Sequence, residues 1–115
     1  MCGIAGFANF DENFLNNENF LKEILNNMSK SLKRRGNDAK GTYLDSHFGA
    51  SHARLSIRDL SENGNQPMIK NIDNNKYIIV YNGEIYNTDE LKKDLQNKGY
   101  KFITTTDTEV ILYLF

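Results

Sequence analysis

The segment Tyr77-Ile78-Ile79-Val80-Tyr81 constrains the fold of this chain most. Five consecutive β-branched or aromatic residues suit a buried strand and little else. The strand is expected over Lys76 to Asn82, with Asn82-Gly83 at its end. A chain of 115 residues is about one small domain. Its 39% apolar residues supply a modest core. The mean hydropathy of −0.60 would suit a disordered chain, but the polar excess comes largely from scattered Asn residues, and the apolar ones are well patterned.

Elements of both periods surround that strand. Cys2 to Ala8 reads as a strand rich in small residues, and Asp11 to Asn19 as a polar loop. Phe20, Ile24, Met28 and Leu32, with Leu21 and Leu25 beside them, predict an amphipathic helix ending near Lys33-Arg34-Arg35 and Gly36. His47 to Ile57 reads as strand, and Ser61 to Pro67 as turn. Asn87 and Glu90 form a capping pattern ahead of Leu91 and Leu95, with Gly99 as terminator. Tyr100 to Thr104 reads as a further strand, and Thr106-Asp107-Thr108-Glu109 as a capping box opening a last helix through Val110, Ile111 and Leu114. No stop signal follows that helix before Phe115. The expected fold class is mixed α/β (α+β), and incomplete.

Charge and cysteine usage exclude several functions. Fourteen Lys and Arg against 15 Asp and Glu leave no bias toward nucleic acid or an anionic membrane. A single Cys precludes an intramolecular disulfide. The N-terminus lacks a basic stretch followed by an apolar run, and no segment approaches the roughly 20 apolar residues of a membrane span. The expected location is cytoplasmic. His47 and His52 lack partners at metal-ligand spacing and read as structural.

Four positions carry chemical potential, each with a plain structural alternative. Cys2 is either a small buried hydrophobe or, once Met1 is removed, a thiol carrying its own α-amine as base. That amine titrates near pH 7.7–8.0 when unperturbed. Asn82-Gly83 is either a hairpin turn or a pair of N–H donors for one oxyanion. Arg54 is a surface residue or a bidentate carboxylate ligand, and Asp107 a helix-opening acid or a partner for an ammonium. Together they match an α-amino acid bearing a side-chain amide.

The chain resembles the N-terminal glutaminase domain of glutamine-dependent asparagine synthetases, a class II amidotransferase. Six ordered blocks carry the resemblance: Met1 to Phe7, Arg35-Gly36-Asn37-Asp38, His52 to Ile57, Gly64 to Met68, Tyr81 to Asn87, and Thr106 to Leu112. The resemblance implies the four-layer α-β-β-α sandwich of the N-terminal nucleophile hydrolases. It also implies a role for each position. Cys2 is the nucleophile, and Asn82 with Gly83 forms the oxyanion hole, beside Glu84. Arg54 takes the glutamine α-carboxylate, the backbone of Leu55, Ser56, Ile57 and Arg58 lines the pocket, and Asp107 holds the α-ammonium. Asn37 stands where the family usually has Pro, which implies a looser loop and a minor effect.

The family domain runs well past 115 residues, and an ATP-dependent synthetase domain follows it, so residues 1–115 are expected to be a partial amidotransferase domain. No cofactor is expected here; ATP and magnesium belong to the absent synthetase domain. The expected partners are glutamine and that domain or a second copy. Two other readings stand beside this one: a non-catalytic fragment of a split gene, and a glutaminase feeding another acceptor such as a sugar.

Overall fold

Asp73 and Asn74 both take positive φ, 50° and 65°, and fold β4 (Met68–Ile72) back onto β5 (Asn75–Ile79). Ile72 pairs with Asn75 and Met68 with Ile79, so the loop has two residues. Two successive left-handed residues make a type I′ hairpin turn, whose twist matches that of the strands, and Asp and Asn tolerate that region best after Gly. The hairpin thus turns at 73–74. Its second strand ends at Ile79, earlier than expected, and Asn82-Gly83 lies in irregular chain beyond it. β4 has no counterpart in the sequence expectations.

The computed structural model describes residues 1–56 and 59–115. Its other sheet is antiparallel, in the order β1-β3-β2. It comprises β1 (Gly3–Ala8), β2 (Ala39–Leu44) and β3 (Phe48–Arg54). β1 and β3 were legible from sequence; β2, which carries Gly41 among polar residues, was not. β3 is central and buried from Gly49 to Arg54.

Helix α1 (Glu18–Ser31) packs against all three strands of that sheet. Leu25 is fully buried, as the predicted stripe requires, but Phe20 remains exposed. The buried aromatic in this region is Phe14, from the 3₁₀ turn Phe14–Asn17, which meets Phe7 edge to face at 5.1 Å.

Helix α2 (Thr88–Asn97) packs against α3 (Asp107–Leu114), and α3 packs against β4 and β5. Asn87 occupies the N-cap of α2 without a side-chain capping bond; the Thr88 hydroxyl donates to Ile85 O at 2.5 Å instead. Gly99, at φ 97°, ends the α2 segment as expected. Residues 100–104 are irregular, not a strand. The Ile103 and Thr104 N–H groups donate to the Glu109 carboxylate at 3.0 and 2.7 Å, so their hydrogen bonds go to a side chain. Half of the Thr106–Glu109 capping box forms: Thr106 Oγ1 accepts from Glu109 N at 3.4 Å.

The result is mixed α/β. Two antiparallel sheets each carry a helix, which fits part of an α-β-β-α sandwich.

Candidate active site

The β1–β3 register decides where Cys2 lies. Gly3 pairs with Ala53, so one step back along β1 brings Cys2 beside the end of β3. Its sulfur accepts the Leu55 N–H at 3.3 Å and lies 3.6 Å from Leu55 O. The thiol is free and half-buried.

A cleft of about 390 Å³ opens at that point. Cys2, Arg54, Leu55, Asn82, Gly83, Glu84 and Asp107 all line it. Seven of the positions singled out from sequence therefore converge, from β1, from the end of β3, from the chain after β5 and from the start of α3. Ser56 does not line the cleft; its N–H donates to Asp38 Oδ2 at 2.6 Å. Ile57 and Arg58 lie outside the described residues.

Arg54 is buried and held by its surroundings. Nη1 donates to Ser61 O at 2.7 Å and to Asn65 Oδ1 at 2.8 Å, and Nη2 donates to Asp59 O. A guanidinium has five N–H donors in a planar fork. Those three bonds fix the fork's direction at the wall of the cleft.

Asp59 holds the turn that holds Arg54. Its carboxylate accepts from the Ser61 hydroxyl at 2.5 Å, from Ser61 N at 2.8 Å and from Thr105 N at 2.9 Å. The Ser61 hydroxyl and the Thr105 N–H outweigh burial and draw its pKa down to about 2.

Asp107 opens α3, with Thr106 as its N-cap. Its carboxylate is buried, and Oδ2 accepts the Ile85 N–H at 2.9 Å. Across the cleft, Tyr81 rests against Gly83: a Cβ on Gly83 would fall 2.6 Å from the phenol oxygen. Burial first, then the charges of Asp107 and Glu84, raise the Tyr81 pKa, so the phenol stays protonated. Arg54, Glu84 and Asp107, of both charge signs, and the Asn82-Gly83 pair thus line one small volume beside a thiol. That arrangement can seat an α-amino acid and place its side chain against the sulfur.

The Glutamine amidotransferase domain model matches residues 1–115. The chain belongs to the glutamine amidotransferase domain family. Among curated relatives it is 36% identical over 115 residues to glutamine-hydrolyzing asparagine synthetase 3 of Bacillus subtilis. It is 41% identical over 131 residues to a putative glutamine-hydrolyzing asparagine synthetase 2 of Methanocaldococcus jannaschii. Both alignments take in 100% of this chain, but only 18% and 24% of the relatives' own lengths. A third relative, amidase chry2 of Gibberella zeae, is 33% identical over 124 residues, again across 100% of this chain and 18% of its own length. This amidotransferase chain thus spans a quarter or less of the length of these relatives.

The cleft also contains residues that the sequence reading did not single out for chemistry, among them Gln66, Asp59, Gly64, Thr106 and Thr108. Gln66 and Gly64 stood inside a block carrying the family resemblance, which was the available signal. Asp59 carried only the local signal of Ser61 two residues on, whose N–H and hydroxyl it accepts; its other partner, Thr105, is joined by the fold alone.

Proposed function

We propose that this domain hydrolyses glutamine to glutamate and ammonia through a thioester on Cys2. The single observation that carries the reading is the convergence of Cys2, Arg54, Asn82, Gly83 and Asp107 on one cleft.

The chemistry follows from their types. Removal of Met1 frees the Cys2 α-amine, which takes the thiol proton. The thiolate attacks the carbon of the glutamine side-chain amide. Negative charge develops on the amide oxygen, where the Asn82 side-chain N–H and the Gly83 backbone N–H stabilise it. Each such donor lowers the barrier by about 3 kcal/mol. The carbon–nitrogen bond then breaks, and the nitrogen leaves as ammonia with the proton held by the α-ammonium. Water adds to the thioester, the carbon–sulfur bond breaks, and glutamate departs. Arg54 pairs with the substrate α-carboxylate and Asp107 with its α-ammonium throughout, which fixes the distance from sulfur to amide carbon.

In the longer protein this reading gives the ammonia to an ATP-dependent conversion of aspartate to asparagine. ATP and magnesium serve that amide-forming step and not this cleft. The similarity to amidase chry2 favours a second reading, in which the same hydrolysis supplies a different acceptor.

Mass spectrometry of protein mixed with glutamine and quenched in acid tests the thioester. The expected result is a glutamyl adduct on Cys2, with Met1 gone, and no adduct in Cys2→Ala. Active protein that retains Met1 overturns the mechanism.

A further inference from the structure

We propose that His52 and Gln66 are positioning residues that clamp the backbone of Tyr81 from two sides and so aim the Asn82–Gly83 donor pair; the proposal rests on reading that pair as the oxyanion site. The β4–β5 ladder stops at Ile79, so Tyr81 has no strand partner for its backbone among the described residues. Two side chains replace the ladder. The Tyr81 N–H donates to Gln66 Oε1 at 2.5 Å, and the Tyr81 carbonyl faces His52 Nε2 at 3.3 Å. His52 is fully buried and Gln66 is 8% exposed. At such depth an abandoned partner would be left without water, so both bonds resist opening.

The consequence for the next residue is geometric. A peptide unit is planar. Fixing the Tyr81 N–H fixes the plane before it, and fixing the Tyr81 carbonyl fixes the plane shared with Asn82. The chain enters Asn82 with one orientation, although residues 82–83 belong to no helix or strand.

The histidine is suited to the task in its neutral form. Nε2 faces an acceptor, so it carries the proton. Nδ1 is buried with no hydrogen-bond partner among the described residues. A second proton there would have nothing to bind. Burial, reinforced by the Arg54 charge and only opposed by the Tyr81 carbonyl, lowers the His52 pKa. Alternation along β3 puts His52 on the same face as Arg54, so one strand orients both the oxyanion segment and the carboxylate ligand.

Gln66 extends the clamp. Its Nε2 donates to Thr108 Oγ1 at 3.1 Å, next to Asp107. A single carboxamide therefore ties the segment before the oxyanion donors to the helix that presents the ammonium partner.

The test uses the full protein that carries this domain, with His52→Leu, His52→Gln and Gln66→Met. A clamp that acts only on the transition state lowers kcat and leaves KM in place. The expected result for His52→Leu and Gln66→Met is a kcat for glutamine hydrolysis lower by roughly 10- to 100-fold, with KM within about 3-fold. His52→Gln, whose Nε2 can replace the imidazole donor, recovers most of the loss. Alkylation of Cys2 by iodoacetamide, which needs no oxyanion donor, stays within about 2-fold. Hydrogen–deuterium exchange of the peptide covering 80–83 accelerates at least roughly 10-fold in Gln66→Met, while that of α1 is unchanged. An unchanged kcat in an active protein overturns the clamp. So does a joint loss of kcat, alkylation and α1 protection, which marks general damage. Wild-type protein that forms no glutamate overturns the proposed function instead, and the exchange rate at 80–83 then decides the clamp by itself.

Discussion

Asp107 Oδ2 accepts the Ile85 N–H at 2.9 Å, so the carboxylate assigned to the substrate ammonium also anchors the chain just beyond Asn82 and Gly83. The two duties separate by substitution. Asp107→Asn keeps an oxygen for Ile85 and removes the charge. A hydrogen bond to a charged group is worth about 1.5–3 kcal/mol, so the glutamine KM is expected to rise roughly 10- to 100-fold. Asp107→Ala removes the anchor as well and is expected to lower kcat further. Steady-state glutamate release distinguishes the two, and an Asp107→Asn enzyme with wild-type KM would remove the ammonium role.

Gly64 is buried against the Arg54 guanidinium, and a Cβ there would stand 2.3 Å from Nη2. The guanidinium cannot simply swing away, because it holds Asp59 O, Ser61 O and Asn65 Oδ1. Gly64→Ala is therefore expected to misplace the carboxylate ligand. The predicted signature is a KM raised roughly 10-fold, from one weakened charged contact. Affinity measured with glutamate, which shares the α-carboxylate, should fall in parallel.

Lys70 and Glu109 form an ion pair at 2.8 Å, with the Glu109 side chain fully buried. Glu109 also accepts from Ile103 N, Thr104 N and the Thr104 hydroxyl. Removing one partner of a buried pair costs about 3 kcal/mol or more, since the other charge is stranded. Glu109→Gln is expected to lower the denaturant midpoint accordingly, and Lys70→Met added to it should restore part of the loss. Additive effects in that double-mutant cycle would show that the two charges are not coupled.

Acid should loosen the Arg54 turn. The folded Asp59 pKa, about 2, lies below its ordinary 3.8. A carboxyl with a depressed folded pKa lends stability that is full above its unfolded pKa and lost as pH falls through the folded one. Glu109 shifts the same way: burial raises its pKa, but Lys70, Thr104 and Ile103 outweigh it. Unfolding monitored between about pH 5 and pH 2 should show stability falling with pH. Asp59→Asn should flatten the lower part of that curve.

Much of the site was legible because its residues sit in short motifs whose chemistry is local. Cys2 next to a removable Met, an Asn-Gly pair, and Asp107 behind a capping Thr each announce a capability. Arg54 gained meaning only from its companions. The same local logic failed for residues 100–104, where apolar and β-branched residues suggested a strand. The Ile103 and Thr104 N–H groups are taken by Glu109, six and five residues ahead, and the Tyr100 N–H by Leu95 O; propensity carries no information about those partners. Asn82-Gly83 shows the converse. Its best local reading is a turn, yet Asp73-Asn74 makes the hairpin turn, and the β4–β5 ladder, which ends at Ile79, leaves Asn82 and Gly83 beyond it, where they line the cleft.

The sequence by itself determined the element types of β1, β3, β5 and the three helices, the family, and a set of candidate side chains, most of which line the cleft. Those follow from periodicity, caps and motif chemistry, all short-range. Only the tertiary structure decided that Cys2 meets Leu55, that Asp59 and Thr105 hold the Arg54 turn, and that His52 and Gln66 grip Tyr81. Each of those contacts joins residues 15 to 53 positions apart, brought together by strand register and helix packing. Hydrogen-bond partners at such separations are chosen by which buried donors and acceptors the packed elements leave facing one another, and no local pattern encodes that.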